Sequence, residues 1–476
     1  MKKKQAVSLL FLMSLSLVFF GFDCSQFMTT GNLALSQAVD PKTSAADRLK
    51  LFAKADSFFT LESKANPKNE MAWFRMGQAR YELKRYLGMK EAFDKAIEVS
   101  NAHKKEIDNL LFQAWAINVN RGSNLYNDSD VPDSLKLAIE YLEASTKLMP
   151  DSIQGYYNLA VTYIKMGDEK SAEKIFESTF NKFKDIKSAK SLGRLPLNRA
   201  IKLQEEFMQD NKDVMEEWNK IKSLYVGMNS SDVTYYLGQP TTKKPVAAKA
   251  GAKKDKNKPA DEEWNFQKYN LSVEVSGEKV TKLSSKYVPQ VDSSKYKGAM
   301  IEYDRAIAVY ANANKTFSND AEITDNLSIA YIQSGKRDLA KAFLLQKVEK
   351  DPSNKYDRYT LGVFYLKDKK FQDAINEFEA AVALDPEFFD AIYNIGATYV
   401  DWANDDLEAN KKKNSDDKSY VEKYKKAVPY LEKFAEKNSD KLSIWDLLGQ
   451  VYANAGQVDK ADKAFKKADE IRSGKN

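Results

Sequence analysis

What constrains this 476-residue chain most is a pattern of large and small apolar residues that returns at fixed spacing. In one copy Leu361-Gly362 is followed by Tyr365, Ala374, Phe378, Ala381 and Pro386. Leu327-Ser328 leads in the same way to Tyr331, Ala340, Leu344 and Pro352. Trp445, Leu448 and Gly449 lead to Tyr452, Ala461, Phe465 and Ala468, and Leu159-Ala160 to Tyr163, Ala172, Phe176 and Thr179. Pro352 and Pro386 lie 34 residues apart. A period of that length marks stacked supersecondary units, each unable to bury its own apolar face without a neighbour.

The residue types fit two antiparallel helices per period. Backbones approach closely only where one helix carries Gly or Ala, as at Gly362 and Ala374, while Leu361, Tyr365 and Phe378 fill the seam at helical spacing. A proline after the second helix stops it, because it cannot supply the next backbone donor. The pattern resembles the tetratricopeptide repeat (TPR), which implies a mostly α fold: an α-solenoid of antiparallel helix hairpins. Degenerate copies follow Ala55, Phe59 and Pro67, then Trp73, Met76 and Gly77 with Ala92, and Ala138, Leu142 and Pro150. Ile395-Gly396 pairs with Ala427 and Leu431 across a charged insertion at 404–418.

The helical period breaks near Tyr225. Gly227-Met228-x4-Val233-x3-Leu237-Gly238-x-Pro240 predicts a short helix capped by Ser230 or Ser231 and ended by Gly238. Glu263–Phe266, Leu271–Val275 and Lys279–Leu283 alternate at period two, with a turn at Ser276-Gly277, and predict three antiparallel strands. The segment resembles the BamE (SmpA/OmlA) family, whose small α+β domain carries a GM…V…LG.P motif before three strands. Residues 241–262 depart from that pattern as a Lys-rich insertion, read as a solvated linker, with contact to anionic lipid headgroups as an alternative.

At the N-terminus Lys2, Lys3 and Lys4 precede an uncharged apolar run from Ala6 to Phe22, the grammar of a signal peptide. The single cysteine, Cys24, follows at once. This resembles a bacterial lipoprotein signal, which implies lipidation of Cys24, and Ser25 after it implies outer-membrane sorting, with the protein facing the periplasm. The alternatives are an uncleaved anchor, or cleavage after Ser36-Gln37-Ala38 that leaves Cys24 incidental and the protein soluble in the periplasm or secreted. The expected organisation is a signal peptide at 1–23, a tether at 24–43, a TPR-like array at 44–222, the BamE-like domain at 223–286 and a second TPR array at 287–476.

Composition excludes several functions. Hydrophobic residues make up 43% and charged residues 30%, enough for an extensive core. The net charge is +6, and residues 243–258, with seven Lys and one Asp, account for all of it, so no folded face is basic enough to predict nucleic-acid binding. One histidine, His103, and one cysteine leave no zinc cluster and no intrachain disulfide, and there is neither GxGxxG nor Gly-Lys-Ser/Thr to cradle a nucleotide. Asp128-Ser129-Asp130-x2-Asp133 lacks the glycine and glutamate of a calcium loop and reads as a polar turn. No catalytic residue, metal or cofactor is expected.

The TPR resemblance places one residue of each first helix on the inner face: Phe74, Tyr157, Asp325, Tyr359, Tyr393 and Asp446. One to two turns further come Lys165, Gln333, Lys367, Asp401 and Asn454. Phe74, Tyr157, Lys165, Tyr359, Lys367, Tyr393 and Asp446 are the candidate groove for a protein or peptide partner, with packing between repeats as the alternative role. The sequence thus predicts a non-catalytic interaction scaffold of the bacterial cell envelope, joined to the membrane by a lipid anchor. Because the β-barrel assembly machinery uses one lipoprotein of each type, the resemblance implies an accessory role in outer-membrane protein assembly. The alternative is a periplasmic enzyme or a glycan- or small-molecule-binding protein framed by TPR helices, which requires a pair of facing carboxylates in a cleft.

Overall fold

The computed structural model describes residues 25–128, 132–246, 261–413 and 416–473. Among them no helix is long and apolar enough to cross a membrane. The architecture is a series of antiparallel helix hairpins interrupted by one small sheet, and it divides into two compact units, the first ending at Leu192 and the second beginning at Gly193.

In the first unit four hairpins follow one another: α1 (Gln26–Ala38) with α2 (Ala45–Ala65), α3 (Glu70–Glu82) with α4 (Tyr86–Val99), α5 (Lys104–Asn127) with α6 (Pro132–Leu148), and α7 (Ile153–Met166) with α8 (Glu169–Phe183). A small residue closes each seam. A Cβ on Gly77 would lie 2.2 Å from the Phe93 ring, and one on Gly122 would lie 2.6 Å from Leu142. Contact that close is open only to glycine, and it lets Phe93 be fully buried, which stabilises the hairpin by about 1.5–3 kcal/mol per such side chain.

The same device corrects the expected tether. Residues 26–38 form α1, and Gly31 lies under Phe59 of α2, so the array begins before residue 44. Ser25 caps α1 by accepting from the Met28 N–H, and its hydroxyl contacts the buried Glu62 carboxylate, which also accepts from Asn66 and Asn69 at 2.9 Å. Those donors keep Glu62 ionised, below the usual range, although burial opposes it. Ser36-Gln37-Ala38, the alternative cleavage site, is the last turn of this helix. Cys24 lies outside the described residues.

The second unit contains an arrangement that the repeat period hides. α9 (Ile186–Asp210) presents Gly193 to Tyr310 of α12 (Ser294–Thr316), where a Cβ would lie 2.6 Å from the ring. In uninterrupted hairpins such as Gly362/Phe378 and Gly449/Phe465 the two residues are 16 apart, whereas here they are 117 apart. Arg199 pairs with Glu302 at 2.8 Å, Arg194 with Glu322 and Lys295 with Glu206 and Asp210, while the Tyr303 hydroxyl donates to Gln204 at 2.5 Å. One hairpin therefore hosts the 83 residues 211–293 between its helices. The expected boundaries at 222 and 287 shift accordingly, because α9 and α12 belong together.

Those extra residues hold α10 (Lys212–Lys222), α11 (Ser230–Leu237) and a four-stranded antiparallel sheet in the order β1 (Thr242–Pro245), β2 (Glu262–Phe266), β3 (Leu271–Ser276), β4 (Lys279–Ser285). Asn229, not Ser230 or Ser231, is the cap residue of α11, and Gly238 ends the helix at φ +77°. β3 alternates strictly between buried and half-buried positions, and its Val273 faces Trp264 of β2. β1 is a further correction: the opening of the Lys-rich stretch pairs with β2, and the Lys243 ammonium sits 3.9 Å over the Trp264 ring. Residues 247–260 of that stretch lie outside the described residues. Ile221, Leu224, Met228, Val233 and the inward residues of β2, β3 and β4 form one cluster, and the cluster draws on no helix of the repeats beyond α10.

Four further hairpins complete the unit: α13 (Ala321–Gln333) with α14 (Arg337–Lys350), α15 (Lys355–Lys367) with α16 (Phe371–Leu384), α17 (Phe389–Lys413) with α18 (Ser419–Lys437), and α19 (Leu442–Asn454) with α20 (Val458–Arg472). The charged insertion at 404–418 lengthens α17 and α18, which are tied by Lys423 to Asp406 and by the Tyr424 hydroxyl to Asn404, both at 2.5 Å.

Candidate protein-interaction surface

Three residues before the small residue that closes each seam (Gly77, Ala160, Gly362, Gly396) lie the aromatic candidates for the groove, and their surroundings differ. Phe74 is buried, stacked on the His103 ring at 4.2 Å, and His103 Nδ1 lies 2.9 Å from Glu70, so Phe74 fixes the start of α5. Tyr157 is half-buried against Phe176 at 5.7 Å. Tyr359 packs on Phe378 and Phe388, and its hydroxyl accepts from Asn394 at 2.9 Å. Tyr393 packs on Phe434 at 4.8 Å. Burial pushes the phenols of Tyr359 and Tyr393 up, so both stay neutral hydrogen-bonding groups. Phe74 is thus enclosed, whereas Tyr157, Tyr359 and Tyr393 stay partly exposed.

Where the same position is acidic, it reaches a basic side chain on the second helix. Asp325 pairs with Lys347 at 2.7 Å, and Lys347 also holds Asp357 at 3.0 Å. Burial would pull the Lys347 ammonium down, but hydrogen bonds to the two carboxylates outweigh it and its pKa is raised. Asp446 accepts from Arg472 Nη2 at 3.2 Å.

The residues further along divide as well. Lys165 donates to the Tyr126 carbonyl at 2.8 Å and lies over that ring at 4.5 Å. Asn454 donates to the Gln450 carbonyl within its helix. Lys367 and Asp401 are exposed. Gln333 joins Ile201, Gln204, Met208, Tyr303 and Ile329 around an open, largely apolar cavity of about 590 Å³ between α9, α12 and α13. Sequence reasoning missed this cavity because half of its wall comes from α9.

It also missed that the α+β segment reaches the last repeat. Gln450, one turn after Asp446 on α19, donates to the Tyr225 hydroxyl at 3.1 Å. Asp232 of α11 lies 3.6 Å from Arg472 Nη2, and Arg472 Nη1 also reaches Asp469 at 2.5 Å. Three carboxylates thus share one guanidinium. Burial pushes the Asp446 carboxyl above its ordinary range; Arg472 opposes the rise, and Asp232 and Asp469 add to it. Acidic side chains do meet in pairs in this unit, but Asp232/Asp446, Asp325/Asp357 and Glu206/Asp210 each hold a basic side chain between them. Among the described residues no cluster of His, Cys, Asp and Glu is suited to a metal ion.

Comparison with known proteins agrees with the repeat reading. The tetratricopeptide repeat family matches residues 72–103, 153–178, 358–388 and 442–474. No curated protein sequence matches the chain. Solved structures similar to parts of it include one described as the crystal structure of MamA, with 25% identity over 39% of this chain and 98% of that one, at a TM-score of 0.31. Another, described as MamA MSR-1 C2, shows 18% identity over 37% of this chain and 89% of that one, at a TM-score of 0.29.

Proposed function

We propose that this chain is a non-catalytic scaffold of the bacterial cell envelope, lipid-anchored through Cys24, that docks protein or peptide partners on the inner faces of its TPR helices. The observation that carries the reading is the recurring hairpin seam, a glycine against an aromatic ring or a leucine side chain, from Gly77/Phe93 to Gly449/Phe465. Stacked hairpins of this kind give extended concave surfaces suited to protein segments. The partly exposed rings of Tyr157, Tyr359 and Tyr393 are the contact points it names, with Lys367 beside them. Phe74 and Lys165 act on the repeats themselves.

Support for the envelope location comes from the basic and apolar start and the placement of Cys24. α1 begins at Gln26, so a lipid on Cys24 sets the first hairpin against the bilayer with no spacer. Two acyl chains or more hold such a protein stably. The likeness of residues 223–286 to the BamE family rests on the Gly227-Met228…Leu237-Gly238-x-Pro240 motif and on a helix that precedes antiparallel strands, and it supports an accessory role in outer-membrane protein assembly. Cross-linking intact cells and capturing the chain through a C-terminal tag tests that role: barrel-assembly components should be recovered, and their absence beside some other protein partner removes the assembly role alone. Cys24→Ala should move the protein from the membrane pellet to the soluble fraction; retention after a high-salt wash refutes the anchor.

A further inference from the structure

We propose that the inner side of the last repeat is a docking surface whose occupant is the chain's own α+β segment, held there by a releasable charge clasp. The proposal rests on the reading that the inner faces of the first helices bind protein. Asp446 and Gln450 hold two successive inner positions of α19, and both are engaged from α11 and its approach: Gln450 by Tyr225, and Asp446 through the Arg472 that it shares with Asp232. The segment is inserted between α9 and α12, with three whole hairpins separating α12 from α19. It therefore reaches from the hairpin that hosts it to the final one, where it engages Gln450 directly and Asp446 through Arg472.

Two features make the clasp releasable. The apolar cluster of the segment is self-contained, so leaving the repeat exposes little apolar surface. The polar contact is also internally opposed, because Asp232 attracts Arg472 yet repels Asp446. A tethered group stays at high effective concentration near its site, so a weak contact is enough to keep it seated, and an external ligand has to outcompete it.

The chain has one native cysteine, so Cys24→Ser with Glu278→Cys and Lys463→Cys gives a clean pair of spin-label sites, one on the β3–β4 turn and one on α20, both exposed. Pulsed dipolar spectroscopy on the full mature chain should show one narrow distance. Arg472→Glu, in the last turn of α20, should raise the ratio of long to short distances by about tenfold or more. Adding Asp232→Arg to Arg472→Asp restores the charge set in swapped positions and should restore the narrow distance. An unchanged distribution in Arg472→Glu overturns the proposal, and so does a broadened one that the swap fails to rescue, since the ion pair is then not what holds the segment. Either failure leaves the capture experiment above unaffected, so the two readings fail separately.

Discussion

Gly193 is the residue on which the second unit turns. Its missing Cβ is what lets α9 approach α12, and the ring it admits, Tyr310, is fully buried with its hydroxyl accepting from Asn326 at 3.1 Å. Burial pushes that phenol up to about 12. Gly193→Ala forces a methyl into 2.6 Å contact with a ring that has nowhere to move, and overpacking of this kind costs about 1–3 kcal/mol. Gly88→Ala is the matched control: it is helical, its Cβ would meet only the flexible Arg80 side chain at 3.5 Å, and alanine's helix preference favours it by up to about 1 kcal/mol. Urea denaturation of the two variants should move the midpoint in opposite directions. A neutral Gly193→Ala would mean that α9 and α12 do not close as a repeat hairpin.

At the level of elements, most of the helices were legible because their signal is local. Leu361-Gly362 and Ala374-x3-Phe378-x2-Ala381 sit 12 residues apart, within one hairpin, and the pattern names both helices at once. Leu192-Gly193 and Ala306-x3-Tyr310-x2-Ala313 carry the same two half-patterns, but a whole inserted segment separates them, so a search at fixed period reads each half as weak. α1 was lost for a related reason, since Gly31 precedes Phe59 by 28 residues, not 16. β1 was hidden by composition: Lys243 and Lys244 look like solvent-facing linker, and only the indole of Trp264 gives Lys243 a surface to lie on. Of the groove residues, the sequence specified the helix position but not whether an aromatic there meets a neighbouring ring or solvent. The self-contained cluster of the α+β segment carries its own prediction. Trp264 is buried at its centre, and Trp264→Ala should cost that segment about 3–5 kcal/mol. Hydrogen exchange should then accelerate across 262–285 while α15–α20 keep their protection; loss of protection in both would show that the segment and the repeats fold as one.

For the second unit as a whole, the shared guanidinium makes docking of the segment depend on pH in a direction that can be worked out. Asp446 faces Arg472 and Asp469 from α20 and Asp232 from α11, and the Tyr225 and Tyr236 phenols nearby are pushed up and stay neutral below pH 10. Its carboxyl is raised above 3.8 by burial and by Asp232, both of which lessen once the segment lifts away, and by Asp469 of α20, which stays. The docked state therefore binds that proton more tightly than the released state, and linkage requires docking to strengthen as pH falls through the interval between the two values. Protonation removes the repulsion between Asp446 and Asp232 and leaves Arg472 to Asp232 and Asp469. The spin-labelled pair should accordingly show a larger short-distance fraction in mild acid than at neutral pH. Asp446→Asn mimics the protonated state and should hold the short distance at neutral pH with no further gain on acidification. A fraction that stays flat from neutral to mild acid, or a segment that opens in Asp446→Asn, would show that Asp446 is a support for the clasp and not its point of strain.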